Sequence, residues 1–256
     1  MIIDCNAHLG YWPFRHVRDS QPDEFVALMD SRGIGQAWVA PFQGVLYGDV
    51  RPANDWLIKA IGAYGERLIP HAAINPNFPE WERDFEEAVA AGFVGLRLYP
   101  NYHSYELGGS CMADALAAAG DCGMTAGIHL RMYDERLHHP RCMVPAADVK
   151  GIGAVAEQFA QVPIVLCNIK TLEIQGIAAD VRRLPNLHVE ISNLEGVGAV
   201  EKLVAEVGAE SVVFGTHAPY QYMDAALLKM RESQLSGEDG AAVFHGNAAR
   251  WMGLSG

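Results

Sequence analysis

Ile2-Ile3-Asp4-Cys5-Asn6-Ala7-His8-Leu9-Gly10-Tyr11-Trp12-Pro13 is a short apolar run followed by polar residues, and what comes after the run decides the fold. An open dinucleotide-binding sheet would place G-x-G-x-x-G directly behind its first strand, so that bare backbone could approach a phosphate. That fingerprint is missing here, and Gly33-Ile34-Gly35 falls between a helix and a strand, the wrong side for phosphate. Runs of the same kind occupy 2–5, 36–41, 68–74, 93–99, 124–129, 163–167, 187–191 and 211–215. Each has the length of a strand buried on both faces. Successive runs start 24 to 39 residues apart, room for one strand and one helix each. The intervening segments carry helical spacing: Pro22, Phe25, Leu28, Met29 and Gly33; Trp81, Phe85 and Ala88/Val89; Val197, Val200, Val204 and Val207 with Gly208 as the stop. Residues 240–254 read as a closing helix. Eight such units predict a single-domain α/β fold over residues 1–256, a (β/α)8 TIM barrel, with an open doubly wound sheet as the rival.

The composition narrows the function. Half of the 256 residues are hydrophobic, enough for a large core, and the formal charge is −12. Such acidity argues against a nucleic-acid backbone or an anionic membrane surface as partner. No apolar run is long enough to span a bilayer, and the first residues lack the basic and apolar regions of a signal peptide. Five cysteines without a CxxC pair read as free thiols in a reducing compartment, which points to the cytoplasm.

In a barrel of this type the chemistry stands at the C-terminal ends of the strands. The run ends here carry Asn6 and His8, Arg97 and Tyr99, His129, Asn168, Glu190 and Ser192, and His217. Imidazoles from the first, fifth and eighth strands would converge near the axis. Three neutral imidazoles suit a divalent metal, zinc first among them, with an open position for water. The plain alternative is that each histidine is a hydrogen-bonded lining residue.

Taken in order, Ile3-Asp4-Cys5-Asn6-Ala7-His8, Gly95-Leu96-Arg97-Leu98-Tyr99-Pro100, Gly127-Ile128-His129, Val189-Glu190-Ile191-Ser192, Phe214-Gly215-Thr216-His217-Ala218-Pro219 and Gly246-Asn247-Ala248-Ala249-Arg250 resemble the amidohydrolase-related family of the amidohydrolase-2 type. The resemblance runs from the first strand to the last helix. It implies a TIM-barrel, metal-dependent hydrolase or decarboxylase with His-x-His on the first strand, histidines on strands five and six, and an aspartate on strand eight. Only His8 and His129 match unchanged. Asn6 stands for the other first-strand histidine, Asn168 for the strand-six histidine, and His217 for the aspartate. An amide is a poor zinc ligand, and the aspartate's role as general base passes to His217, which is a candidate ligand as well. Arg97 in strand four excludes a carboxylated-lysine bridge between two metals. Resembling barrels often pair, so a homodimer is the partner the resemblance implies.

Other residues fill in the expected site. The loop 9–18 holds Trp12, Phe14, Arg15, His16 and Arg18 over the mouth, where Arg15 would take a carboxylate. Trp12 and Phe14 read equally as a plug. Tyr99, Tyr102 and His103 would line the pocket, the stretch 131–147 reads as a lid, and Glu190 would need a buried partner, for which Arg97 is the candidate. Asn6, Arg15, Tyr99, His103 and Asn168 are thus the substrate-binding candidates, His8, His129 and His217 the metal candidates, and His217 and Arg97 the catalytic ones. Three readings follow. One is a hydrolase, decarboxylase or lactonase using a divalent metal on a small carboxylate, lactone or amide. Another is a metal-free lactonase with His217 as base. The last is a binding barrel without chemistry.

Overall fold

Eight parallel strands line up in chain order in the computed structural model, which describes residues 1–134, 136 and 138–252. They are β1 (Ile3–Leu9), β2 (Gln36–Pro41), β3 (Leu68–Ala73), β4 (Gly95–Leu98), β5 (Thr125–His129), β6 (Ile164–Cys167), β7 (Leu187–Glu190) and β8 (Val212–Val213). A bridge between Ala7 and Ala218, with backbone hydrogen bonds Cys5 N–H to Phe214 O and His217 N–H to Asn6 O, joins the last edge to the first. The barrel of the sequence reading is therefore present, and every strand is buried on both faces because helices cover the outside.

The helices are α1 (Pro22–Arg32), α2 (Arg51–Ala60), α3 (Trp81–Ala90), α4 (Ser110–Asp121), α5 (Ile152–Gln158), α6 (Thr171–Gln175), α7 (Ala178–Arg183), α8 (Ala199–Val207), α9 (Met223–Glu232), α10 (Gly237–Ala241) and α11 (Asn247–Trp251). Their apolar faces pack on the strands as one continuous core, with Phe25, Met29, Leu57, Phe85, Leu116 and Val200 among the buried contacts. The expected closing helix over 240–254 is broken. A π-helical turn at Ala242–Gly246 separates α10 from α11, and 253–254 lie outside the described residues. Val197 is exposed ahead of α8 rather than part of its buried face.

The barrel interior is filled in layers. At the bottom His71 stacks on Trp38 with ring centroids 4.8 Å apart, and its Nε2 lies 3.0 Å from the Thr125 hydroxyl. Above this lies Arg97. A Cβ on Gly127 would sit 2.0 Å from its Nη1, so the guanidinium fits only because Gly127 has no side chain. Among the described residues no helix is long and apolar enough to cross a membrane, and all five cysteines are free thiols.

Candidate active site

Above Arg97 the three strand-end histidines meet. The ring centroids of His8 and His129 are 5.0 Å apart, those of His8 and His217 5.3 Å, and those of His129 and His217 6.2 Å. All three rings are buried. Local backbone places them. The register of β1 against β2 shifts between Asp4 and Ala7, an irregularity of the kind that re-aims side chains near sites. Asn168 and His217 both hold left-handed backbone, φ 60° and 54°, an uncommon and costly state for residues with a Cβ. Asp4 fixes the turn before His217: its carboxylate accepts from the Thr216 N–H (2.9 Å), the Thr216 hydroxyl and the Asn6 N–H (3.0 Å). Burial pushes the Asp4 carboxyl up to about 7, against those hydrogen bonds.

Each imidazole is oriented by a different partner. His217 Nε2 lies 2.6 Å from the Met132 carbonyl oxygen. A carbonyl only accepts, so Nε2 carries the hydrogen and Nδ1 carries a lone pair, which has no partner. Burial lowers His217 to about 4, with the Arg15 and Arg97 charges acting the same way and the Met132 carbonyl opposing them. His129 Nδ1 lies 3.0 Å from Asn168 Oδ1, leaving Nε2 unpartnered. His8 Nε2 lies 3.0 Å from the Tyr99 hydroxyl, and its ring stacks on Phe42. Burial and then neighbouring charges hold His8 and His129 well below the ordinary imidazole range, so all three rings are neutral near pH 7.

The residues do not fit a divalent ion as they stand. Such a site converges several donor groups on one point. Among the described residues no three His, Cys, Asp or Glu side chains do so. His8, His129 and His217, expected as zinc ligands, are brought together here as hydrogen-bonded rings rather than with their nitrogens on one point. His8 and His217 direct Nε2 to Tyr99 and Met132, and Glu190 and Asp4 are occupied by neighbouring amides and hydroxyls.

The remaining candidates separate into two groups. Asn6, Tyr99 and Asn168 touch the imidazoles or one another: Asn6 Nδ2 donates to Asn168 Oδ1 at 3.1 Å. Arg97, His103 and Arg15 stand apart from the three imidazoles, although the His103 ring meets that of Tyr99 edge-on at 5.8 Å. Arg97 is fully buried and donates to the Cys5 carbonyl (2.6 Å), the Trp38 carbonyl (3.4 Å) and the Cys167 sulfur (3.7 Å). This ties strands together from within and puts its guanidinium beneath the three imidazoles. The expected Arg97–Glu190 ion pair does not form among the described residues. Glu190 accepts instead from Ser192 and from Asn6 and Asn168, which reach it first at the layer above. His103 donates through Nε2 to the Gly44 carbonyl at 3.0 Å and pins a loop, and burial lowers it to about 4. Arg15 lies over the Tyr220 ring, 3.9 Å from the centroid, and donates to the Tyr220 carbonyl.

Trp12, Phe42, Tyr133 and Tyr220 close the mouth over the histidines, with the Trp12 ring 5.5 to 6.1 Å from the other three. The plug reading of Trp12 is therefore correct. Phe14 packs on its outer side, 6.0 Å from Trp12. Arg15, His16 and Arg18 line an open cleft of about 420 Å³ beside this cap. The stretch 131–147 lies across the mouth without α-helix or strand among its described residues; Glu135 and Leu137 fall outside them. It supplies Met132 and Tyr133 to the cap. Sequence reasoning missed the Met132 carbonyl, since a backbone acceptor leaves no mark in residue type. It also missed the role of Glu190 toward Asn6 and Asn168, for which Glu190-x-Ser192 at a strand end was the available signal.

Comparisons with known proteins bear on this site. No curated protein sequence matches the chain. Among solved structures, a dihydroxybenzoic acid decarboxylase from Polaromonas sp. JS666, with bound manganese and the inhibitor 2-nitroresorcinol, superposes with a TM-score of 0.77 at 17% identity, over 100% of this chain and 97% of that one. A 5-carboxyvanillate decarboxylase from Sphingomonas paucimobilis gives 0.72 at 19% identity, over 99% of both chains. A probable 2-pyrone-4,6-dicarboxylic acid hydrolase from Acinetobacter baumannii, with bound citric acid, gives 0.67 at 12% identity, over 98% of this chain and 99% of that one. At such identities these likenesses speak for the fold alone. The sequence profile of the amidohydrolase family (amidohydrolase-2 type) matches residues 3–254, nearly the whole chain, and the protein belongs to that family.

Proposed function

We propose that this protein is a hydrolase that opens a small carboxylate-bearing lactone or related ester beneath the aromatic cap, with His217 as general base and without a resident metal. One observation carries the reading. The Met132 carbonyl fixes His217 as the Nε2–H tautomer, which leaves the lone pair of the buried Nδ1 without a partner. In the proposed step Nδ1 takes a proton from water, the water oxygen bonds to the ester carbon, and the C–O ring bond breaks. The proton then passes from Nδ1 to the leaving oxygen. The Asn168 amide NH2, buried and unpartnered, would donate to the carbonyl oxygen as charge develops there. A lactone suits this machinery because it needs less electrophilic activation than an amide. A 2-pyrone, the ring in the name of one structural neighbour, is a cyclic ester. Arg15 and Arg18 beside the cleft are suited to the substrate carboxylate on its way in. Access requires the loop 9–18 and the stretch 131–147 to part, because the rings are sealed as they stand.

The test is turnover of a panel of carboxylated lactones, with and without chelator. Activity that survives chelation and falls about 10²- to 10⁴-fold in His217→Ala supports the reading. Ligand-induced stabilisation with no turnover on any panel member overturns it in favour of a binding barrel. A second reading rests on the three unpartnered ring nitrogens of His8, His129 and His217. Rotation of those rings would offer a divalent ion an all-imidazole site, for which zinc is the natural occupant. Activity lost to chelation and restored by zinc or manganese would favour it.

A further inference from the structure

We infer that Glu190 is a positioning residue which, through the amides of Asn6 and Asn168, fixes His129 as its Nδ1–H tautomer and so leaves the His129 Nε2 lone pair free beside His8 and His217. The inference deepens the reading above by assigning a second oriented imidazole beside His217.

The polarity of the chain of contacts follows from its first member. Glu190 Oε1 accepts from the Asn168 backbone N–H (2.5 Å) and the Ser192 hydroxyl (2.7 Å), and Oε2 accepts from the Ser192 N–H (2.6 Å). Two backbone donors and a hydroxyl meet this side chain, so it serves as an acceptor. Asn6 lies 3.3 Å from Oε1 and must present its NH2 there. The same Nδ2 lies 3.1 Å from Asn168, whose amide oxygen therefore faces Asn6. That oxygen is also 3.0 Å from His129 Nδ1, which is obliged to donate. An imidazole protonated at Nδ1 carries its lone pair on Nε2. The unpartnered atoms agree with this direction: Asn6 Oδ1, Asn168 Nδ2 and His129 Nε2 are the free ends of the same three groups. Three buried side chains with one open valence each are unusual unless something fills them, and a water or a carbonyl group offers the complementary atoms. A Cβ on Gly215 would stand 2.5 Å from Glu190 Oε2 and 3.1 Å from Asn6 Cβ, so the carboxylate fits here only because Gly215 has no side chain.

The experiment is two-bond ¹⁵N–¹H correlation NMR of ¹⁵N-histidine-labelled protein, with the His129 signals assigned by their loss in His129→Gln. The expected wild-type pattern is a protonated Nδ1 and an unprotonated Nε2 on His129. In Glu190→Gln the new carboxamide can donate, Asn6 is free to turn over, and His129 becomes a mixture of tautomers. In Glu190→Gln combined with Asn168→Asp, a carboxylate that only accepts faces His129 and the single Nδ1–H form returns. A wild-type His129 in the Nε2–H form overturns the inference without any variant having to fold. An unmixed Nδ1–H form in folded Glu190→Gln overturns it too. The readout needs no turnover. A wrong tautomer at His129 therefore leaves the His217 proposal standing, and an inactive protein with the expected tautomer leaves this inference standing.

Discussion

His217 is an imidazole whose basicity is set by its surroundings rather than by its partner. The Met132 carbonyl favours the protonated ring, yet burial outweighs it and the group falls to about 4. A general base must be unprotonated to work, so a lower value shifts the acid side of the rate profile downward. On the proposed reading, kcat/KM should hold steady as pH is lowered through 6.5 and fall only near pH 4. A limb at 6.5 would show that the ring is solvated during turnover. Tyr99 is the complementary case, since burial holds its phenol protonated well above the ordinary tyrosine range and keeps its hydroxyl beside His8 neutral. Residue identity alone announced the three histidines. Their tautomers could not be read from it, because a tautomer is set by whichever acceptor folding brings to the other ring nitrogen.

At the scale of elements, strand and glycine positions decide what the barrel interior can hold. Gly127 on β5 faces Arg97 on β4, and a methyl group there would collide with a guanidinium anchored to the Cys5 and Trp38 carbonyls. Gly127→Ala should therefore cost about 1–3 kcal/mol, read as a lower urea midpoint with an unchanged slope. Gly62→Ala, where a Cβ meets open space, should change stability by about 0.5 kcal/mol or less. The eight strands were legible because a parallel strand buried on both faces is a compact apolar run. The helix α3 was legible in Trp81 and Phe85, which are buried. The last helix was not, since the spacing in 240–254 gives no sign of the π-helical turn at Ala242–Gly246 that re-aims the chain under the barrel.

At the scale of the molecule, buried histidines make stability depend on pH. His103, His188 and His217 each fall to about 4 in the fold, from an ordinary 6.5. Between those values the unfolded chain binds protons that the folded one refuses, so their contribution is lost as pH falls through that window. Asp4 acts the other way. Raised from 3.8 to about 7, it favours the folded state at low pH and loses that effect as pH rises. His8, His71 and His129 are held below the ordinary range as well, so the histidines outnumber Asp4, and each unopposed group adds up to about 1.4 kcal/mol per pH unit. Urea midpoints should therefore drop from pH 6.5 toward pH 4; a flat or rising profile would mean that these rings are wet. The sequence by itself determined the eight strand-and-helix units and the residue types standing at the strand ends, because burial periodicity is a local property, whereas closure of the sheet into a barrel rests on the contacts of β8 with β1. Only the tertiary structure decided that Arg97 is an internal tie, that Glu190 serves two asparagines instead of an arginine, and that the imidazoles meet as hydrogen-bonded rings under an aromatic cap. Those outcomes depend on which atoms arrive first at each buried donor and acceptor, and that is settled by packing in three dimensions.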